Sequence, residues 1–341
     1  MHENLIAYLA SCGLESENQS PDAPVPSRNQ TFLVRDGKGK RLLVKRSHID
    51  GPIAMTHEGQ TIIQLASLAS EPNCPLILPE VHSIEPRLGL LVLGWLDGGE
   101  ALNYYHWRTG RYPLALGMTL GRALGWLHRE SRALRPSLGP QAFVEGRFGN
   151  PRPFVYLTLD NYARLSQAGL RFFEMIHSDD NALYELYRLL QYPTELTLLH
   201  GDVKLPNLLR LRGRKNQIAF VDWEMARWGD PARDVGALFA QYIRAWLAPQ
   251  TQREKLDQAG VCQFLRVVLN SYRRQRGSAY PLERDFRYRA IRWAGVSLLY
   301  YVFGAIHNTE YLDERHSSLT QQAIGMLNDP YRWAWILLEA A

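Results

Sequence analysis

At 341 residues the chain is longer than one core usually supports, so two lobes are expected, and an apolar share of 46% supplies material for both. Cys12, Cys74 and Cys262 are scattered with no C-x-x-C pair, which argues against a disulfide framework or a zinc site and for a reducing compartment. No apolar run reaches the ~20 residues of a membrane helix, and the start Met-His-Glu-Asn shows neither a basic n-region nor a cleavable apolar stretch, so a soluble, cytoplasmic protein is expected.

Residues 4–10 can form a short amphipathic helix, and residues 15–26 read as a polar, proline-containing loop. Ser27 to Val34, the turn Asp36-Gly-Lys-Gly39 and Arg41 to Lys45 read as a β-hairpin, with Gly37 and Gly39 at its tip rather than in a phosphate loop. A helix over 54–70 carries Glu58, Pro79 opens a further strand, and residues 88–96 form a buried one that ends at the breakers Asp97-Gly-Gly99. Beyond Gly99 the pattern turns helical: 114–129, one or two helices in 157–191, then 234–247, 250–276, 282–306 and 319–338. Residues 139–153, rich in Gly and Pro, read as loop.

The chemistry concentrates in Leu198-Leu-His-Gly-Asp-Val-Lys-Leu-Pro-Asn-Leu-Leu209. An apolar approach delivers His200, Asp202, Lys204 and Asn207 within one turn. A basic hairpin tip returns the chain through Ile218-Ala-Phe-Val-Asp-Trp-Glu224, adding Asp222 and Glu224. Two carboxylates, an amide and an amine around one point suit phosphoryl transfer from ATP, which needs positioning and charge neutralisation more than covalent help. Asp202 fits the group that receives the acceptor hydroxyl's proton. Asn207 and Asp222 offer the hard oxygens that Mg²⁺ takes, with Glu224 as a further ligand or as a group that orients the loop.

The spacing His200-Gly-Asp-x-x-x-x-Asn207, followed by Val221-Asp-Trp-Glu224 and Gly229-Asp-Pro-Ala-Arg-Asp-Val-Gly236, resembles the aminoglycoside phosphotransferase / choline kinase family of protein-kinase-like enzymes. The resemblance runs in outline from residue 27 to 240. It implies an α+β, bilobal protein-kinase-like fold: an N-lobe over 1–98 with an antiparallel sheet and a helix, and a mostly helical C-lobe over 99–341. In this resemblance Lys45 grips the ATP phosphates with Glu58 as its partner (Glu80 is the other candidate). The turn Ser27-Arg-Asn29 covers the phosphates, so Ser27 and Asn29 become nucleotide-binding candidates. The hinge that reads adenine falls at 93–96, which singles out Leu93 and Trp95. Asp234 buttresses the loop at 200–207, His200 packs and hydrogen-bonds the Asp222 backbone, and His128 is a packing residue.

Lys204 departs from many small-molecule members and matches the Asp-x-Lys-x-x-Asn of Ser/Thr protein kinases, where a fixed positive charge meets the transferred group. The net charge of +5 also suits a neutral or anionic acceptor better than a polycation. Two acceptors therefore stand side by side: a small-molecule alcohol, and a peptide Ser or Thr such as that of a biosynthetic precursor peptide. A different class of reading is a catalytically silent kinase-like protein that holds a peptide or nucleotide. Arg273, Arg274, Arg276, Arg284, Arg287, Arg289 and Arg292 form a basic run without any nucleic-acid motif, and a solvated helical face is expected there rather than RNA binding. In the aromatic set Trp293, Tyr300, Tyr301, His307, Tyr311, Trp333 and Trp335, core packing is expected, with one or two residues lining the cleft.

Overall fold

The computed structural model describes residues 13–16, 29–47, 51–69, 74–134, 151–191, 196–277 and 285–339. The strands are Glu15–Ser16 (β1), Asn29–Arg35 (β2), Arg41–Ser47 (β3), Leu76–Ile77 (β4), Val81–Glu85 (β5), Leu90–Gly94 (β6), Gly99–Ala101 (β7), Thr197–Leu199 (β8), Leu208–Leu211 (β9), Ile218–Phe220 (β10) and Arg227–Gly229 (β11). The helices are Gly51–Leu68 (α1), Leu102–Thr109 (α2), Leu114–Glu130 (α3), Arg152–Val155 (α4), Leu159–Ala163 (α5), Gln167–His177 (α6), Asp180–Arg188 (α7), Ala232–Leu247 (α8), Gln258–Arg276 (α9), Phe286–Ile306 (α10), Glu314–Asn328 (α11) and Pro330–Ala334 (α12). The helix expected at 4–10 lies outside the described residues, as does 139–150 of the expected loop.

The first sheet is antiparallel, in the order β1-β2-β3-β6-β5. Its period of two sorts the side chains. Leu42 and Val44 pack with Val34, Leu90 and Val92 on one face, while Leu43 and Lys45 point to the other. There Leu91 and Leu93 meet Met55, Ile62 and Leu65 of α1. Lys45 stands opposite Leu91 in the β3–β6 register, so the strand that buries its apolar neighbours also carries a cation to the helix side.

The second sheet has the order β4-β10-β9-β7. β9 and β10 form the hairpin expected after the polar loop. β4 pairs with β10 in parallel and so ties residues 76–77 to a strand far along the chain. After β4 the chain returns to the first sheet through β5 and β6 and re-enters the second at Gly99, and the buried core is continuous from α1 through β10 to the helices. Around these strands pack α3 with α9 and α8 with α10. Gly236 lets α8 approach α10 closely, since a Cβ there would lie 2.4 Å from the Ala290 carbonyl oxygen. Among the described residues no helix is long and apolar enough to cross a membrane.

Several expectations change. Residues 15–16 are a strand on β2 rather than loop, because backbone pairing along an edge leaves no mark in side-chain pattern. Residues 157–191 hold three helices, separated at Thr158, Ser166 and Asp179, each a side-chain N-cap. The helix expected from 250 begins at Gln258, where Asp257 Oδ1 accepts from the Gly260 N–H at 2.7 Å. The helix expected over 319–338 breaks at Asp329-Pro330: proline lacks the N–H to continue α11, and Asp329 caps a new start. In the basic run Arg273 and Arg274 are exposed, as expected, but the rest disperses. Arg276 is buried against Tyr272, Arg289 pairs with Asp230 and Asp285, Arg292 with Glu185 and Arg287 with Glu339, while Arg284 lies outside the described residues. Helical spacing alone hid those acidic partners.

Candidate active site

The two sheets, α8 and α10 wall a cleft of about 1190 Å³. At its inner end β3 presents Lys45 and α1 presents Glu58, and the turn after β10 presents Asp222. The Lys45 ammonium lies 2.6 Å from Glu58 Oε2 and 2.7 Å from Asp222 Oδ1. Glu58 Oε1 accepts from the Trp223 N–H at 3.2 Å, so one buried carboxylate fixes both the lysine and the turn. Burial alone would pull the Lys45 pKa down, but Glu58 and Asp222 outweigh it and hold it above the ordinary lysine value. The same contact offsets burial at Asp222, whose pKa stays below the usual carboxylate range. Asp222 has φ +70, a left-handed conformation in a non-glycine residue.

The loop after β8 builds the opposite wall. Lys204 Nζ lies 2.6 Å from Asp202 Oδ2, and Asn207 Nδ2 donates to the same oxygen and to the Asp202 carbonyl, each at 3.0 Å. Beneath it Asp234 is fully buried. It accepts from the backbone N–H of His200 at 2.7 Å and of Gly201 at 3.1 Å, and from His128 Nε2 at 3.3 Å. His128 Nδ1 in turn accepts from the Tyr272 hydroxyl at 2.9 Å, and Arg276 donates to that hydroxyl at 3.1 Å. Burial opposes ionisation of Asp234, but these donors hold its pKa below the ordinary value. His128 is therefore more than a packing residue. Its ring helps orient the carboxylate that holds the loop.

His200 is buried, its ring tilted against that of Trp223. Its Nε2–H donates to the Val221 carbonyl at 3.0 Å, one residue before the expected Asp222 backbone, and its Nδ1 accepts from the Asp202 N–H at 3.3 Å. The two loops touch closely. Gly201 has φ +80, and a Cβ there would lie 2.1 Å from the Met225 carbonyl oxygen.

The expected residues converge on this cleft: Asn29, Lys45, Glu58, Leu93, Trp95, Asp202, Lys204, Asn207, Asp222 and Glu224 all line it. Ser27 lies outside the described residues. Asn29 Nδ2 reaches Glu224 Oε2 at 2.5 Å and so bridges the first sheet to the turn after β10. Trp95 donates its backbone N–H to the Arg41 carbonyl, and the Arg41 guanidinium lies over its ring. Glu80, the other candidate partner for Lys45, instead pairs with Lys40 at the surface. Of the aromatic set, Tyr300 and Tyr301 line the cleft; Trp293 and Trp333 pack in the core, and Tyr311 and Trp335 are exposed.

Glu58, Asp222 and Glu224 each offer a carboxylate oxygen within 4.8 Å of the others. With Glu58 committed to Lys45 and Trp223, the donors suited to a hard divalent cation are Asp222, Glu224 and the Asn207 amide oxygen, the end of that amide left when its nitrogen bonds Asp202. Sequence reasoning missed the wall that runs along α8, which contributes Arg233, Ala237, Gln241 and Arg244. The signal was present as polar residues at i, i+8 and i+11 on a helix whose other face is apolar.

A model of the phosphotransferase enzyme family matches residues 24–272 of the chain. Solved structures with the same fold include a choline kinase from Streptococcus pneumoniae, at 14% identity, TM-score 0.53, covering 96% of this chain and 98% of that one. A macrolide 2'-phosphotransferase from Brachybacterium faecium matches at 17% identity and TM-score 0.52, covering 96% and 98%. An amicoumacin kinase solved with AMP-PNP, Ca²⁺ and its ligand matches at 15% identity and TM-score 0.62, covering 97% and 94%.

Proposed function

The chain belongs to the phosphotransferase enzyme family, and from that premise we propose that it moves the γ-phosphoryl group of ATP to an alcohol hydroxyl at the cleft around Lys45 and Asp202. The observation that carries this reading is the meeting, in one cleft, of the Lys45–Glu58–Asp222 ion network with the Asp202–Lys204–Asn207 cluster. We further divide the chain into a nucleotide lobe, residues 1–98, and a lobe over 99–341 that carries the loop and the acceptor side.

Lys45 draws the nucleotide phosphates toward the first sheet. Asn29 and the Leu93–Trp95 segment hold the rest of the nucleotide. Asp222, Glu224 and Asn207 would hold Mg²⁺, which neutralises charge on the phosphates when bound. Asp202 accepts a hydrogen bond from the acceptor hydroxyl and takes its proton late, which an ordinary carboxylate can do when the transition state is loose. Lys204, 2.6 Å from Asp202, offers positive charge where it develops on the transferred group. The acceptor is neutral or anionic and small. A peptide Ser or Thr is the second reading, favoured by the Lys204–Asp202 contact that matches the protein-kinase pattern.

The test is ADP release and MgATP binding in wild type, Asp202→Asn and Asp222→Ala. Asp202→Asn is expected to lower turnover by about 10²-fold or more with nucleotide retained, and Asp222→Ala to weaken MgATP binding. Wild type that binds no MgATP, or Asp202→Asn at full turnover, would sink the reading.

A further inference from the structure

The cleft is electrostatically divided. Among the described lining residues, the carboxylates Glu58, Asp202, Asp222, Glu224 and Asp234 all stand at the inner end, around the ion network and the loop. Lys45 and Lys204 are paired with them. The outer wall, from α8 and α10, carries Arg244, Gln241, Ser297, Tyr300 and Tyr301 and no carboxylate among the described residues. Arg244 is half-buried there. Its guanidinium lies 4.6 Å from the centroid of the Tyr301 ring, and it makes no ion pair or hydrogen bond with any described residue. A guanidinium that sits over a ring by cation–π attraction keeps its N–H donors, the fork that matches a carboxylate or phosphate. A cation half-withdrawn from water without a carboxylate partner is a site prepared for an anion.

We propose that Arg244 binds an anionic group, carboxylate or phosphate, on the acceptor whose hydroxyl sits at Asp202; the proposal rests on the phosphotransferase reading. The helix sets the spacing. Asp234, which holds the Asp202 loop, and Arg244 stand ten residues apart on α8, about 15 Å along its axis. Allowing for the reach of the arginine side chain, the acceptor spans on the order of 10 Å between hydroxyl and anion. The same arrangement repels a polycation or a quaternary ammonium at this end of the cleft, because no carboxylate among the described lining residues faces it.

The experiment measures ADP release with acceptor pairs that differ only in the anion: 10-hydroxydecanoate against its amide, and acetyl-Ser-Ala-Ala with a free C-terminal carboxylate against the C-terminal amide. Choline and kanamycin are included as cationic acceptors. The free acids are expected to show kcat/KM about tenfold or more above the amides, as one charge-assisted contact supplies. R244A and R244Q are expected to erase that preference through KM, with kcat held, since the contact is remote from the reacting atoms. The hydroxydecanoate and peptide arms show which of the two molecules carries the anion. Amides or cationic acceptors turned over as fast as the acids, or a preference that survives in both variants, overturns the proposal. Wild type that binds no MgATP overturns the phosphotransferase reading itself, a separable result.

Discussion

Asp234→Ala tests whether the loop at 200–207 is held in place by one buried carboxylate. That carboxylate receives two backbone N–H groups, from His200 at 2.7 Å and Gly201 at 3.1 Å, and the His128 ring at 3.3 Å. Alanine leaves the two amides buried without an acceptor, and a hydrogen bond to a charged group contributes roughly 1.5–3 kcal/mol. Loss of one partner in a buried charged network costs about 3–5 kcal/mol, and that is the expected loss of stability. Asp234→Asn should recover only part of it, because one amide oxygen cannot serve both N–H groups and the amide nitrogen meets another donor. Urea unfolding followed by tryptophan fluorescence measures this well, since the ring of buried Trp223 lies 4.6 Å from that of His200, centroid to centroid, and reports on the loop. Turnover should fall by about 10²-fold through misplacement of Asp202, with MgATP affinity little changed. A loss below about 1 kcal/mol, or full turnover in Asp234→Ala, would refute the idea that Asp234 organises the loop.

His106, His128 and His200 are buried, and burial lowers each pKa, that of His106 to about 4. The unfolded chain therefore binds more protons below about pH 6.5, and stability should fall from there down to the folded pKa values, by up to ~1.4 kcal/mol per pH unit for each ring. Urea midpoints that stay flat between pH 7 and 5 would show that these rings protonate in the folded state. Gly201→Ala should destabilise by about 2–4 kcal/mol, combining a left-handed alanine with a collision at the Met225 carbonyl. An unchanged melting temperature would mean that the loop simply moves aside.

Much of the inner site was legible because its parts lie close in sequence. His200, Asp202, Lys204 and Asn207 share one loop, Asp222 and Glu224 share the turn one hairpin later, and a hairpin's register follows from its own residues. Lys45 and Glu58 were legible as a strand end and a helix position. Lys45 and Asp222 stand 177 residues apart in the chain, and only packing brings them together. Part of the basic run was misread for the opposite reason. Arg276, Arg289 and Arg292 look exposed by spacing, yet their partners Tyr272, Asp230 and Glu185 are reached by helix packing as well as by neighbouring turns.

The sequence by itself determined the alternation that turns Lys45 inward, the turns and caps that bound the helices, and the set of oxygen and nitrogen groups available for phosphoryl transfer, because each depends on residues a few positions apart. The tertiary structure decided which charges neutralise one another. It set Asp234 under the loop, spread the arginines over separate acidic partners and left Arg244 on an aromatic face at the far end of the cleft. Pairing of charges depends on distance in space, and the chain's pattern carries only distance along itself.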